Sequence, residues 1–271
     1  MRRVNSRRRL GALAMGLSAL LGLSSLPVEA PAFQFNNGDL VLAIFGNSTE
    51  FYYDIGTKAA LLAPGATTTI NIAALPGDPF GAGTGVVGGA ETQWTILGRN
   101  PVAATPAANG IFVYAASQTD AAGISIVPAV AQTNTRIQGW NSTLLASTGG
   151  TPVGPGAQVF LNSTDPAAFT NANNFGLSGT LGGSWNAGGM QGSIGSLLNI
   201  LEGRARNEAG LTNVLSDVGR AVLLASGQLT ICGGAGCEVA AVPVPAAAIL
   251  FGSGLIGLAG IARRTGTKLI S

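Results

Sequence analysis

Residues 40–55 read LVLAIFGNSTEFYYDI, and this stretch decides the fold class. A run of apolar residues is followed by the tripeptide Gly-Asn-Ser and then by a run rich in aromatic residues at positions 49–55. Apolar and aromatic runs of strand length, joined by a short turn that contains Gly and Asn, are typical of two antiparallel strands. We therefore predict that a β-hairpin opens the folded part of the chain.

Other short runs with strand composition recur along the chain between turn-forming residues. They lie at residues 67–73, 93–97, 111–115, 124–130, 158–161, 179–185, 227–231 and 238–242. The last two are expected to pair as a terminal hairpin. Many short strands separated by turns predict a mainly β fold, with one exported, antiparallel, β-sandwich-like domain at residues 33–241. Residues 196–225 differ, because their Leu and Val spacing favours one or two short helices.

Residues 1–32 have the three-part layout of a secretory signal peptide. Arginines are concentrated within residues 1–9, an uncharged run rich in Leu and Ala covers residues 10–26, and Ala30 and Ala32 form a small-x-small cleavage site. Cleavage is predicted after Ala32 rather than after Ala30, because Pro31 would otherwise follow the scissile bond directly. A twin-arginine signal and an uncleaved N-terminal anchor are the alternatives.

A second uncharged apolar run occupies residues 246–262. At about 1.5 Å per residue, a helix of this length spans about 26 Å, which is slightly less than the hydrocarbon thickness of a bilayer. Two short motifs flank the run: Val242-Pro243-Val244-Pro245 before it and Arg263-Arg264 after it. We predict one C-terminal transmembrane helix with a basic stop, preceded by an extended segment that an enzyme could cut.

The order of proline motif, apolar run and basic stop in residues 242–265 resembles a PEP-CTERM sorting domain. The resemblance implies recognition by an exosortase, a membrane-embedded cysteine protease or transpeptidase. It also implies a Gram-negative host that makes extracellular polysaccharide. Val244 stands where such motifs usually carry an acidic residue, so the resemblance is to the Val-Pro-x-Pro variant. A plain single-span anchor is the alternative interpretation.

Charge is sparse in the predicted domain once the two ends are set aside. Six basic and eleven acidic side chains lie within residues 33–241, a net charge of −5, whereas the whole chain has a formal net charge of +2. A mildly acidic domain disfavours nucleic acid and anionic membrane surfaces as partners. Its many small hydroxyl and amide side chains fit a secreted β protein or a component of an extracellular matrix.

The chain has two cysteines, Cys232 and Cys237. An exported protein meets an oxidising compartment, so a disulfide between them is predicted, with two free thiols as the alternative. Closing so short a loop removes unfolded-chain entropy worth only about 2 kcal/mol, and we expect the bond to fix a local turn. A zinc site is disfavoured because the chain has no histidine to complete the ligands. We predict neither a metal nor a cofactor.

The absence of histidine excludes Ser-His-Asp triads and Cys-His dyads. Residues 83–88 match the G-x-G-x-x-G fingerprint but lack its strand-and-helix context, so they are predicted to be a loop. Four acids remain available for glycoside hydrolysis, which needs no histidine: Glu50, Asp54, Glu91 and Asp120. No sequence spacing marks a pair among them, and no catalytic residue is predicted.

Three further groups of residues have alternative interpretations. Asn36, Asn37 and Asp39 fit an Asx-type turn or, less simply, a Ca²⁺ site. Six aromatic side chains fit either a β core or a platform that stacks on sugars: Phe51, Tyr52, Tyr53, Trp94, Trp140 and Trp185. Three Asn-Ser-Thr tripeptides begin at residues 47, 141 and 162; they would be glycan acceptors in a eukaryotic secretory route, and in a bacterium they are expected in turns.

Together these patterns predict an exported protein of the cell surface or extracellular matrix that has no enzymatic activity. Export would be followed by retention in the inner membrane, cleavage near the proline motif and delivery to the outer surface. There the protein would adhere or associate with exopolysaccharide in a biofilm. Its predicted partners are the exosortase, the membrane before processing and an extracellular polysaccharide. A secreted carbohydrate-active enzyme and a membrane-anchored surface protein that is never cut are the alternatives.

Overall fold

The computed structural model describes residues 33–88, 92–100, 111–124, 130–149, 154–170, 190–205 and 214–238. The strands are β1 (Asp39–Phe45), β2 (Thr49–Thr57), β3 (Thr67–Asn71), β4 (Gln93–Asn100), β5 (Ile111–Ser117), β6 (Gln158–Asn162), β7 (Gly192–Ser193), β8 (Leu197–Ala205), β9 (Val214–Leu223) and β10 (Gln228–Gly233). The helices are α1 (Lys58–Leu61) and α2 (Val130–Thr148), and single 3₁₀ turns occur at Ile72–Ala74 and Ala121–Gly123.

The described strands all belong to one antiparallel sheet. Their hydrogen-bonded order is β3-β10-β9-β8-β5-β4-β1-β2-β6, and the two-residue strand β7 pairs with the start of β4. The sheet curls into a half-barrel. The prediction of a mainly β, antiparallel domain is confirmed. A β-sandwich needs two sheets packed face to face, and the described strands form a single curled sheet instead.

Strand β1 is buried on both faces of this sheet. All seven of its residues are buried. Its even-numbered residues 40–44 pack in one hydrophobic cluster, and its odd-numbered residues 41–45 pack in the other. Because both faces are covered, the strand needs no polar side, which explains why its sequence is continuously apolar after Asp39.

Helix α2 covers one face of the sheet, and the sequence analysis did not predict it. Its buried residues recur at helical spacing, and half of them are polar: Val130, Thr133, Asn134, Ile137, Trp140, Asn141, Leu144 and Thr148. The amide of Phe33 donates to the Thr148 hydroxyl at 2.8 Å, and Asn141 exchanges two hydrogen bonds with the backbone of Phe35 at 3.2 and 2.9 Å. Polar side chains on the buried face thus hold the segment before β1 against the helix.

The second hydrophobic cluster fills the inside of the curl. It contains side chains from both ends of the strand order, with Ile70 of β3 and Phe160 of β6 packed against it. The segment 72–88 spans the gap between these ends. Gln158 Nε2 donates to the Pro76 carbonyl at 2.6 Å, and the amide of Thr49 donates to the Gly85 carbonyl at 3.1 Å. The loop predicted at residues 83–88 is confirmed, and it helps to close the open side of the half-barrel.

Within residues 196–225, the described parts form strands β8 and β9, so the prediction of helices there is wrong. A β-bulge at Val218, opposite the step from Ile200 to Leu201, breaks the alternation expected of β9, and apolar residues of β8 pack on both faces of β8 itself. One glycine that interrupts the helical pattern has a role in the sheet. A Cβ atom at Gly219 would lie only 2.6 Å from the carbonyl oxygen of Cys232, so the neighbouring strand leaves no room for a side chain.

The other strand predictions have mixed outcomes. The runs at 40–45, 49–55, 67–73, 93–97, 111–115, 158–161 and 227–231 correspond to β1, β2, β3, β4, β5, β6 and β10. The strand predicted at 124–130 is wrong at both described ends, because Ile124 follows a 3₁₀ turn and Val130 begins α2. The run at 179–185 lies outside the described residues.

The terminal hairpin is not formed as predicted. Strand β10 pairs with β9 on one side and with β3 on the other, so it has no free edge for a strand at 238–242. Glu238 is described and is not in a strand, and the remaining residues of that run lie outside the described part of the chain.

Candidate functional site

The described part of the chain ends at a turn closed by a disulfide. Cys232 on β10 is bonded to Cys237, with the Cα atoms 6.1 Å apart, and the disulfide prediction is therefore confirmed. Gly234 and Gly236 in the turn have φ angles of +100° and +74°. Glycine adopts this left-handed region without steric cost, so the tight return of the chain depends on these two residues.

Two contacts hold the disulfide turn against the body of the domain. Nη1 of Arg220 donates to the Cys237 carbonyl at 3.4 Å, and its Nε donates to Asn199 Oδ1 on β8 at 3.2 Å. A Cβ atom at Gly233 would lie 2.3 Å from the Ala63 carbonyl, so the two segments are in close backbone contact. Glu238 is exposed, and the described chain thus ends at the surface, four positions before Val242.

The predicted targeting residues lie outside the described part of the chain. They are Ala30 and Ala32 of the cleavage site, Val242, Pro243, Val244 and Pro245 of the sorting motif, and Arg263 and Arg264 of the basic stop. The predicted transmembrane helix at residues 246–262 lies there as well. Within the described ranges, none of the helices has both the length and the apolar composition required to span a bilayer.

Glu50 is a buried carboxylate that is well supplied with hydrogen-bond donors. Its side chain is on β2 and is 0% exposed. Oε2 accepts from the Tyr52 hydroxyl and the Phe169 amide, and Oε1 accepts from the amide and the hydroxyl of Thr170. Burial, and then the charge of Glu50, raises the pKa of Tyr52 well above its ordinary value, so the phenol remains a donor. The hydrogen bonds of Glu50 thus join β2 to residues 169–170, which follow β6.

Asp54, further along the same strand, has a different environment. Its Oδ1 accepts from the amide of Gly56 at 2.9 Å, and its Oδ2 is buried with no hydrogen-bond partner. Burial, and then the nearby carboxylate of Asp39, raises the pKa of Asp54 to about 7. The structure therefore brings together two acids, Asp39 and Asp54, that the sequence did not mark as a pair.

The four acids considered for glycoside hydrolysis are not assembled into a site by the described residues. Glu50 and Asp54 are both 0% exposed. At about 3.3 Å per strand residue they lie about 13 Å apart along β2, farther than hydrolytic carboxylate pairs. Asp120 accepts from the amide of Gly123 at 2.8 Å and starts a 3₁₀ turn. Glu91 lies outside the described residues.

The residues considered for a Ca²⁺ site form a turn, but the Asp39 side chain accepts from the amide three residues before it rather than two residues after it, as an Asx-type turn would require. The amide of Asp39 donates to the Asn36 carbonyl at 3.2 Å, and the amide of Asn36 donates to Asp39 Oδ2 at 3.1 Å. In the ranges that the structure describes, no three His, Cys, Asp or Glu side chains are grouped as metal ligands.

The aromatic side chains lie mainly in the core rather than on a surface platform. Phe51, Tyr52, Trp94 and Trp140 are 0% exposed, and Tyr53 is partly buried. Trp140 Nε1 donates to the Ala167 carbonyl at 3.0 Å, so the indole ring also fixes the segment after β6. Trp185 lies outside the described residues.

The three Asn-Ser-Thr tripeptides do not share one conformation. The tripeptide at residue 47 lies at the turn between β1 and β2, and Asn162 Oδ1 accepts from the Thr164 amide at 3.0 Å in an Asx-type turn. Asn141 lies inside α2, so the prediction of a turn there is wrong.

Lys58 and Glu202 form an ion pair that sequence reasoning missed. Lys58 Nζ lies 2.9 Å from Glu202 Oε2 and 5.3 Å from the centre of the Tyr114 ring. Burial, and then the charge of Glu202, raises the pKa of Tyr114. The partners are 144 residues apart in sequence, and the pairing of β5 with β8 brings Tyr114 opposite Glu202. No local sequence signal could have found this group.

Comparison with protein-family models, with curated proteins and with solved structures finds no match to this chain.

Proposed function

We propose that this protein is exported, is sorted to the cell surface or extracellular matrix of a Gram-negative bacterium, and acts there without catalysing a reaction. One observation carries the proposal: the order of proline motif, uncharged apolar run and arginine pair within residues 242–264. Residues 246–262 would hold the chain in the inner membrane until an exosortase-type protease cuts near residues 243–245. The released domain would then adhere or associate with exopolysaccharide.

Two features of the described domain support this proposal. The disulfide fits an oxidising compartment. The described chain ends at the exposed residue Glu238, and the four following residues can extend at most about 14 Å. At that distance from the domain surface, the motif would be within reach of a membrane-embedded protease.

The buried acids support a role without catalysis. Glu50 and Asp54 have no exposed surface, and hydrolysis of a sugar chain needs acids that touch the substrate. The carbohydrate-active alternative makes a different prediction, namely turnover of a polysaccharide by the purified domain. Binding of the polysaccharide without turnover agrees with the proposed role.

The test is intact-mass analysis and localisation of the native protein in its host, with and without the sorting protease. We expect a surface product that begins near Phe33 and ends near residues 243–245, formed only when the protease is present. A variant with Pro243→Ala and Pro245→Ala should accumulate uncut in the inner membrane. Pro64→Ala changes an exposed proline between α1 and β3 and should be processed normally. An intact C-terminus in the inner membrane of both strains would refute sorting and make residues 246–262 a plain anchor.

A further inference from the structure

A β-bulge places two buried carboxyl groups side by side in the β1–β2 hairpin. The register shifts between Leu40 and Val41, and Val41 then pairs with Asp54. Asp39 lies two residues before Val41 on the same face, so it is the diagonal neighbour of Asp54. Diagonal neighbours in a sheet are about 7–8 Å apart at the backbone, which their side chains can bridge. Asp39 is 2% exposed and Asp54 is 0% exposed.

The two carboxyl groups have too few donors for two negative charges. The amide of Asn36 donates to Asp39 Oδ2 at 3.1 Å, and the amide of Gly56 donates to Asp54 Oδ1 at 2.9 Å. Oδ2 of Asp54 is buried without a partner. A proton on one group allows it to donate to the other, which satisfies an oxygen that otherwise has no donor. The raised pKa of Asp54, about 7, agrees with this reading of the geometry.

Two of the segments packed beside the pair have no charged side chain. Residues 33–38 and 154–157 are uncharged in sequence. They contact the pair through backbone groups, since Asn36 donates to Asp39 and the amide of Asp54 donates to the Ala157 carbonyl at 2.9 Å. On β2 itself, Tyr53 is the adjacent titratable group, and burial followed by the charge of Asp54 raises its pKa.

Three cations lie on elements near the pair, and none of them donates to Oδ2 of Asp54. Lys58, the first residue of α1, is paired with Glu202. Arg99 is on β4, the other neighbour of β1; burial lowers its pKa, and its Nε has no hydrogen-bond partner. Arg136 is the charged residue of α2. The contact between the two carboxyl groups therefore depends on the protonation of the pair itself.

We propose that Asp39 and Asp54 form a proton-binding clasp between β1 and β2. One proton held between the two carboxyl groups joins the strands. When that proton is lost, two negative charges face each other in a buried site and the strand contact loosens. The domain is then more stable in mildly acidic surroundings than above neutral pH. The clasp belongs to the folded domain and does not depend on the sorting proposal.

The sign of the pH dependence follows from linkage. An acid whose pKa is raised by folding keeps its proton in the folded state at pH values where the unfolded chain has lost it. Its stabilising contribution is complete below the ordinary value of 3.8 and is lost as the pH rises through about 7. The chain has no histidine, so no side chain with an ordinary pKa titrates between about pH 5 and pH 8. Between these pH values, a change in the stability of the domain can therefore be assigned to the Asp39–Asp54 pair.

The test is thermal unfolding of the full chain in detergent micelles between about pH 5 and pH 8, followed by tryptophan fluorescence. We expect the wild-type Tm to fall by roughly 4–8 °C across this range. Asp54→Asn is neutral at every pH, and its amide can donate to Asp39, so its Tm should stay constant within about 2 °C. Asp78→Asn is the matched control, because it removes an exposed carboxyl group at a φ of +34° that Asn tolerates.

The Asp78→Asn control should show the same decrease in Tm with rising pH as the wild type. If the Tm of Asp54→Asn falls with rising pH as steeply as that of the wild type, the proposal is overturned. Millimolar calcium chloride provides a second decisive comparison at the upper end of the pH range. If calcium raises the Tm of the wild type and not that of Asp54→Asn, the pair binds a cation rather than a proton and the proposal fails. Should Asp54→Asn not fold, Asp39→Asn provides the same comparison from the other strand.

Discussion

Glu50 and Asp54 are buried carboxyl groups on the same face of the same strand, but their surroundings differ. Glu50 accepts hydrogen bonds from the side chain of Tyr52 and from the segment at residues 169–170 that folds over it. Asp54 accepts one from Gly56 and has a second acid beside it. Burial is complete at both positions. The supply of donors, rather than the depth of burial, therefore decides whether a buried carboxyl group ties two segments together or sets two charges against each other.

The largest effect is expected from changing Glu50, the buried carboxylate that is well supplied with hydrogen-bond donors. Glu50→Gln keeps one acceptor oxygen and turns the other into a donor, which would face the groups that now donate to Glu50. We expect the free energy of unfolding to fall by about 3 kcal/mol, measured by urea denaturation. Glu238→Gln removes an exposed carboxylate and should change stability by no more than about 0.5 kcal/mol. A loss below about 1 kcal/mol for Glu50→Gln would contradict its anchoring role.

A smaller effect is expected from removing one donor of Glu50. Tyr52→Phe keeps the ring, whose centre lies 5.4 Å from that of Trp140, but deletes the hydroxyl that donates to Glu50 and accepts from Phe169 at 2.7 Å. We expect a loss of about 1–2 kcal/mol in the same urea experiment. Tyr53→Phe, the matched control at a partly buried site, should lose less than about 0.5 kcal/mol. Equal losses for the two variants would show that the Tyr52 hydroxyl has no special role.

The smallest effect is expected from changing the pair of acids, Asp39 and Asp54. Asp39→Asn removes one of two facing charges, so at about pH 8 we expect it to be as stable as the wild type or more stable by about 1 kcal/mol. Combining it with Asp54→Asn should add little, because either change alone removes the repulsion. The measurement is a double-mutant cycle of unfolding free energies at the two ends of the pH window. Strictly additive effects would mean that the two acids act independently.

The sequence predicted the parts of the fold that local composition controls. The run at 40–45 and its aromatic partner gave the first hairpin, and Cys232 and Cys237 gave the disulfide. The two main errors arose where burial involves both faces or polar groups. In β8, apolar residues on both faces, together with a bulge at Val218 of the partner strand β9, produced a spacing that resembled a helix. In α2, Asn and Thr occupy buried positions, so a search for apolar residues alone missed the helical period.

The candidate sites were less predictable than the strands, because their partners are distant in sequence. Glu50 is 119 residues from Phe169, and Lys58 is 144 residues from Glu202. The Asp39–Asp54 pair depends on a register shift that no composition rule reveals. Asp39, Glu50 and Asp54 could each be considered from the sequence, but their spacing did not predict which of them would accept several hydrogen bonds and which would lie beside another acid.

The position of β10 has a mechanical consequence. The strand lies between β9 and β3, and its Cys232 is bonded to Cys237 near the end of the described chain. A pull on the chain beyond Cys237 reaches β10 through the sulfur bridge and loads the hydrogen bonds to both neighbouring strands together. An edge strand would instead peel away from a single neighbour. The domain is thus built to bear tension at its C-terminal end without unravelling from that end.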